Sequence, residues 1–428
     1  MLTTLLIFLF FIGYFFITIE HYIKINKAAI ALLISALSWV LLIIFSNNFQ
    51  EVNSDLSHHL IGVSEIVFFL LGAMTIVEII DAHDGFSIIS QKIKTDNKNQ
   101  FIWLIALVTF FLSAILDNLT TTIVMVTILN KLVADRKTKW LLLGLVIISS
   151  NAGGAFSPIG DVTTTMLWIG GQITPLNIIK ETFLASAVAM IVPTIIISVL
   201  IKGRITLLDQ NSDSDAFNAN SSQRVFILMI GISSLIFVPI FKVMTHLPPY
   251  MGMFFSLGIM WVVTELMHKG SVNKNYFTVS KALEKIDTPS ILFFFGILMS
   301  IGALESAHIL PGMANHLNQL FKGDINLIAI SIGLLSSLFD NVPLVAALQS
   351  MYSLEVYHTD HYFWELLAFT AGTGGSCLII GSAAGVAVMG MEKIDFIWYL
   401  KNISWIALIG FSAGALILIF EANLLHWF

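Results

Sequence analysis

FIWLIALVTFFLSAILDNLTTTIVMVTILN, residues 101–130, is apolar except for Thr109 and Ser113, the pair Asp117-Asn118 near its middle, the threonines after it and the closing Asn130. Basic segments bound it on both sides: Lys92, Lys94 and Lys98 before, Lys131, Arg136, Lys137 and Lys139 after. Basic loops stay on the cytoplasmic side of a membrane, so both ends belong to one side. Each arm is about 16 residues, short for a full crossing at about 1.5 Å per residue. A re-entrant hairpin with its tip at Asp117-Asn118 satisfies both constraints.

The whole chain is built for a bilayer. Of its 428 residues 57% are hydrophobic and 11% charged, with a mean hydropathy of +0.88; a soluble domain carries about 25% charged residues. Ala28–Phe45, Ile61–Ile80 and Trp405–Phe420 are apolar runs of the kind that cross a hydrocarbon core of about 30 Å. Met1 to Glu20 lack a basic n-region and an A-x-A cleavage site and read as a first span rather than a signal peptide. The single cysteine, Cys377, excludes an intramolecular disulfide or a cysteine metal cluster. The net charge of -6 is scattered and carries no nucleic-acid signal.

Polar gaps fall near 21–27, 46–59, 81–100, 131–139, 172–181, 202–224, 242–248, 268–287, 311–323, 351–362 and 392–401. All lysines and arginines except Lys180, Lys242 and Lys322 lie in or beside the first, third, fourth, sixth, eighth and last of these, which places those gaps inside and both termini outside. A second hairpin follows at Asp324–Met351, with Asp340-Asn341 at its tip and basic-poor gaps on both sides. It enters from outside.

The halves match. Phe68-Phe69, Met74-Thr75 and Ala82-His83 align with Phe293-Phe294, Met299-Ser300 and Ala307-His308 at an offset of 225. Asp117-Asn118 aligns with Asp340-Asn341 at 223, and Gly153-Gly154 and Gly160 with Gly374-Gly375 and Gly381 at 221. The expected fold is an all-α polytopic membrane protein of two inverted repeats, 1–203 and 224–428, joined by a cytoplasmic linker at 204–223. Each repeat has three spans, a re-entrant hairpin, a broken span and a final span. Secondary transporters are built this way, with sites near the midplane at the repeat interface.

The broken spans are the glycine-rich stretches Asn151–Thr164 and Ala371–Ser382. Backbone freed in hydrocarbon costs several kcal/mol per group unless it meets an ion, a substrate or water. Carbonyls, carboxylates and hydroxyls are hard oxygen ligands suited to a small alkali cation. A carboxylate kept from water holds its proton tightly, and a bound cation expels it; that competition is the minimal chemistry of cation/proton exchange. The preferred site is Asp117, Asn118, Asn151, Asp161, Thr163 and Thr164, with Na+ at Asp117, Asn118, Asn151 and Asp161. The second repeat offers Asp340, Asn341, Thr373, Ser376 and Ser382. The bland alternative is that these acids cap broken helices, and a capping carboxylate is still free to bind a cation. Glu65, Glu78 and Glu305 are candidates for a proton path, interfacial solvation being the alternative. His21, His58, His59, His246, His268, His358 and His361 fall in loops or at span ends and read as surface residues.

At Phe68–Gly85, Asp117-Asn-Leu-Thr-Thr-Thr122, Asn151–Thr165, Asp340-Asn-Val-Pro-Leu344 and Thr373-Gly-Gly-Ser376, the chain resembles the NhaD-type sodium/proton antiporters. These share a superfamily with dicarboxylate/sodium symporters. The resemblance implies efflux of Na+ and Li+ against entering H+, no cofactor, a bacterial inner-membrane location and a homodimer with a rigid scaffold and a moving transport part. The dicarboxylate relatives carry Ser-Asn-Thr at both hairpin tips; here Leu116-Asp-Asn-Leu-Thr and Phe339-Asp-Asn-Val-Pro replace them. Carboxylates there repel a dianion and favour a cation. A sodium-coupled anion carrier or anion extruder on the same fold is the rival reading, and it lacks a lysine or arginine deep in any span. No HExxH, Gly-x-Ser-x-Gly or Gly-x-Gly-Asp signature supports a membrane enzyme.

Overall fold

The computed structural model describes residues 2–18, 20–46, 48–93, 95, 97–201, 221–269 and 278–425, and among these every regular element is an α-helix. The linker expected at 204–223 falls outside the described residues as far as residue 220. The first half contains α1 (Leu2–Thr18), α2 (Glu20–Ile23), α3 (Lys27–Phe45), α4 (Phe49–Ala82), α5 (Ser87–Lys92), α6 (Lys98–Leu116), α7 (Asn118–Leu132), α8 (Arg136–Ala155), α9 (Val162–Ile169) and α10 (Pro175–Leu200). The second contains α11 (Ser221–Thr245), α12 (Pro249–Met267), α13 (Val279–Lys285), α14 (Thr288–Ser306), α15 (Ile309–Leu320) and α16 (Ile325–Leu335). It continues with α17 (Asn341–Met351), α18 (Tyr362–Gly374), α19 (Ala383–Glu392), α20 (Phe396–Asn402) and α21 (Ser404–Leu425).

Eight of these helices are long and apolar enough to cross a bilayer. Apolar side chains such as Phe8, Phe11, Phe15, Leu33 and Val199 are largely exposed around the outside. A soluble protein rarely leaves so much apolar surface bare; in lipid it needs no cover. The chain is a multi-pass membrane protein.

Packing recurs between the halves. α6 lies against α8 as α16 lies against α18, and α1 against α3 as α11 against α12. Other contacts cross over: α3 packs on α14 and α12 on α4, while α9 meets α17 and α19 meets α7. The centre is formed by α8, buried at every residue from Leu142 to Ala155, and α18, buried throughout. A helix buried on all faces has no need of an amphipathic stripe, which is why both read as featureless apolar runs.

Some expected boundaries move. The gap at 46–59 shrinks, because Asn48 caps α4 by accepting the Glu51 N–H at 3.3 Å and donating to its carboxylate at 3.2 Å, a reciprocal cap. The helix then runs 34 residues. The gap at 311–323 is mostly α15, an amphipathic helix that buries Ile309, Leu310 and Ala314, and α20 occupies most of 392–401. The glycine-rich stretches do not break where glycine is densest. Residues 151–155 remain helical, and the first break is confined to 156–161. Gly153 and Gly154 serve contact instead: a Cβ on Gly153 would strike the Phe110 carbonyl, and one on Gly154 the Gly160 carbonyl. Gly374 and Gly375 stand in the same relation to Gly333 and Gly381.

Candidate functional site

Both expected hairpin tips carry a capping aspartate: α6 passes to α7 directly through Asp117, whereas residues 336–339 turn between α16 and Asp340. Asp117 caps α7, accepting the Thr120 N–H at 2.8 Å and its hydroxyl at 2.7 Å. It does so at φ 99°, a region that costs a residue with a side chain about 1–3 kcal/mol and that clusters at functional sites. Asp340 caps α17 from ordinary backbone at φ -56°. The broken spans are capped alike: Asp161 opens α9 at φ -146°, ψ 146°, and Ser382 opens α19 at φ -142°, ψ 153°.

Three of these turns meet at Asp161, which is 2% exposed, and the fourth, at Ser382, joins through Asn151. One carboxylate oxygen, Oδ1, accepts the Thr163 N–H and hydroxyl, both at 2.9 Å. The other accepts Asn118 Nδ2 at 2.8 Å. Asn341 Nδ2, from the opposite hairpin tip, reaches both oxygens at 3.4 Å. Asn118 Nδ2 also donates to Asn151 Oδ1 at 3.1 Å, and Asn151 Nδ2 donates to Ser376 Oγ at 2.9 Å and Ser382 Oγ at 3.0 Å. A single buried network therefore joins both hairpin tips and both broken spans. Asn151, Asn118, Asn341, Ser376 and Ser382 are all buried, and in such surroundings an unpartnered polar group is expensive.

Not every expected residue joins it. Thr164 turns its hydroxyl to the Asp161 carbonyl at 2.9 Å, and Thr373 gives its own to the Phe369 carbonyl one turn back. Asp117 lies beside the network but bonds only within its own turn among the hydrogen bonds above. Asp340 faces away to Lys27, whose ammonium is 3.1 Å from Oδ2.

Cavities approach the centre from several sides. One of about 580 Å³ runs from Glu20, Lys24 and Lys27 to Asp340 and Ser382. The corresponding space beside Asp117, lined by Leu235, Met253 and Phe294, is only about 50 Å³. Two more lie along α4. One member, about 280 Å³, holds Glu78, Asp81, Asp84, Thr120 and Lys285; the other, about 310 Å³, holds His58, His59, Glu65, Glu305 and Gln349. Glu78 pairs with Lys285 at 3.2 Å, and Asp84 with Arg224 at 2.8 Å.

Three features escaped the sequence reading. Lys27 sits at the start of α3, more than three hundred positions from its partner Asp340, and nothing local signals the pairing. His268 is not a surface residue: it is 6% exposed, with Nε2 3.0 Å from His83 Nε2. Glu365 is buried and accepts a hydrogen bond from Asn177, near Glu181 and its partner Lys180.

A profile of the family described as citrate transporter, CitMHS, matches residues 12–374, most of the chain and all the turns just described up to the second broken span. The chain belongs to the CitMHS citrate-transporter family. CitMHS proteins are transporters, not enzymes. Among curated relatives, "Sodium/proton antiporter 1" of Arabidopsis thaliana is 47% identical over 411 residues, covering 95% of this chain and 70% of the relative. "Sodium/proton antiporter 2" of the same plant is 44% identical over 409 residues, covering 95% and 96%. "Na(+)/H(+) antiporter NhaD" of Vibrio cholerae is 28% identical over 438 residues, covering 92% and 86%. The resemblance to NhaD-type antiporters read from the motifs is thus borne out across nearly the whole chain.

Proposed function

We propose that this CitMHS protein exchanges Na+, with Li+ as a second cargo, for H+ by alternating access, and that Asp161 carries whichever cation is in transit. The observation that supports this most is the convergence of Asn118, Thr163 and Asn341 on one buried carboxylate, tied through Asn151 to Ser376 and Ser382. A proton on Asp161 leaves a neutral network. A sodium ion in its place needs hard oxygens, and each asparagine supplies a side-chain carbonyl by turning its amide over. Asp117, lying next to this network on strained backbone, is the second exchanging acid. The names of the relatives support Na+ and H+ as the exchanged ions.

The arrangement of the halves supports alternating access. If they are inverted repeats, the large cavity at Asp340 and the small one at Asp117 are the same passage seen from opposite faces, one open and one shut. Exchange of the two by rocking would expose Asp161 to each side in turn. Glu65 and Glu305 then line an outer vestibule with His59, while Glu78 is engaged by Lys285 and serves the inner one. A homodimer, with both termini outside, completes the reading.

The rival cargo is an organic anion, which the family's description suggests. Lys27 lines the cavity that reaches Asp340 and Ser382, and Asp340 already neutralises it. The test is dissipation of a preformed proton gradient in everted vesicles from an antiporter-deficient bacterial host, on adding Na+, Li+, K+, succinate or citrate. Exchange predicts proton release on Na+ or Li+, lost in Asp161→Asn at equal expression. Silence toward every cation, with sodium-dependent uptake of a carboxylate, would replace this reading with the anion carrier.

A further inference from the structure

The two hairpin tips are alike in sequence and unlike in surroundings. Asp117 faces a small apolar space with no lysine or arginine in its lining. Asp340 faces the largest of the cavities described, and there Lys27 reaches it at 3.1 Å. The Lys27 ammonium also lies 4.1 Å from the centre of the Phe293 ring, a position that rewards a cation. Its backbone is fixed as well: the Lys27 N–H donates to Glu20 Oε1 at 3.1 Å, and Asn26 caps the helix that Lys27 begins. The helix that answers to α3 in the second half, α12, begins with Pro249. No tethered charge is built there.

We propose that Lys27 is an affinity-setting residue, a tethered cation that competes with the transported ion for Asp340. The inference rests on the cation reading above. Asp340 is adjacent to Asn341, which touches Asp161, and Ser382 of the same cavity wall touches Asn151. A sodium ion arriving through this cavity meets Asp340 before Asp161. With the ammonium in place Asp340 presents no net charge, so an arriving ion gains that carboxylate, next to the Asn341 that touches Asp161, only by displacing Lys27. When the ion binds, Lys27 swings into the cavity; when it leaves, Lys27 returns. The tether thereby weakens cation binding enough for release, and leaves Asp117 and Asp161 as the acids free to exchange.

The test is Na+ binding to the purified protein, measured by isothermal titration in wild type, Lys27→Gln, Asp340→Asn and the double variant. Loss of one charge-assisted hydrogen bond to a competitor corresponds to about a tenfold gain in affinity. Lys27→Gln should bind Na+ about tenfold more tightly than wild type, and the same substitution should do nothing in the Asp340→Asn background. Unchanged or weaker binding by folded Lys27→Gln overturns the proposal. Should that variant not fold, Lys27→Arg decides, because the two-pronged guanidinium grips a carboxylate more firmly: weaker Na+ binding supports the competitor, unchanged binding overturns it. A wild type that binds no Na+ overturns the exchange reading along with this one. Na+ binding indifferent to residue 27 overturns this one alone.

Discussion

Asn151 is the residue on which the candidate centre turns. Its amide uses one end for Asn118 and the other for Ser376 and Ser382, and no apolar replacement does both. Asn151→Ala takes from the Ser376 hydroxyl its side-chain partner and leaves Ser382 only the Gly385 N–H and Asn118 Nδ2 only Asp161, at a cost of about 1–3 kcal/mol for each group left unsatisfied. Exchange in everted vesicles should fall more than tenfold, with the amount of folded protein in the membrane less affected. Thr373→Ala is the contrasting case. Its hydroxyl bonds its own helix at the Phe369 carbonyl, so the substitution should leave exchange within about twofold of wild type. At this scale the members of the buried network were readable where polarity interrupts an apolar run, as at Asn118, Asn151, Asp161, Asn341 and Ser382. It was not readable where a role depends on direction. Asn151 and Thr373 each stand just before the paired glycines of their repeat, yet only one aims at the centre. Lys27, at a span end, looked like a solvated loop charge because its partner is brought to it by tertiary packing.

Interruptions of the helices near Asp117, Asp161, Asp340 and Ser382 were legible because a polar pair in an apolar run and density of glycine are local signals. Their boundaries were not, since glycine does two jobs. Gly153 and Gly374 remain helical and let α6 and α16 press their carbonyls against α8 and α18. Side-chain hydroxyls tie the same crossings: Ser113 donates to the Ser150 carbonyl at 2.6 Å and Ser336 to the Ala371 carbonyl at 2.8 Å. A methyl group at Gly374 therefore has backbone, not a yielding side chain, in its way. Gly374→Ala should destabilise by about 1–3 kcal/mol, the usual cost of overpacking, and appear as a lower melting temperature in detergent. Gly62 is helical and exposed, and a methyl group added there meets nothing within 4 Å. Gly62→Ala should raise stability by about 0.5–1 kcal/mol through helix propensity. Equal melting temperatures for the two variants would mean that the crossings are looser than their geometry indicates.

Topology is the property of the whole molecule on which the exchange reading depends, and it came from charge rather than hydropathy. On the proposed topology, the basic residues keep the ends of the first hairpin inside and leave those of the second outside, and the same segment types, in the same order, would face opposite ways. Passages related by a two-fold axis in the membrane plane require this; two hairpins entering from one side would leave no symmetric way to close one cavity while opening the other. Cys377 is buried, so a Cys377→Ala background is open to single-cysteine mapping. Ala134 lies exposed between α7 and α8, and Ser353 lies exposed just after α17. Ala134→Cys should react with a membrane-impermeant maleimide in everted vesicles but not in intact cells. Ser353→Cys should react in intact cells and not in sealed everted vesicles. Reaction of both from the same side would contradict the inversion, and with it the view that the cavities of about 580 Å³ and about 50 Å³ are two states of one passage.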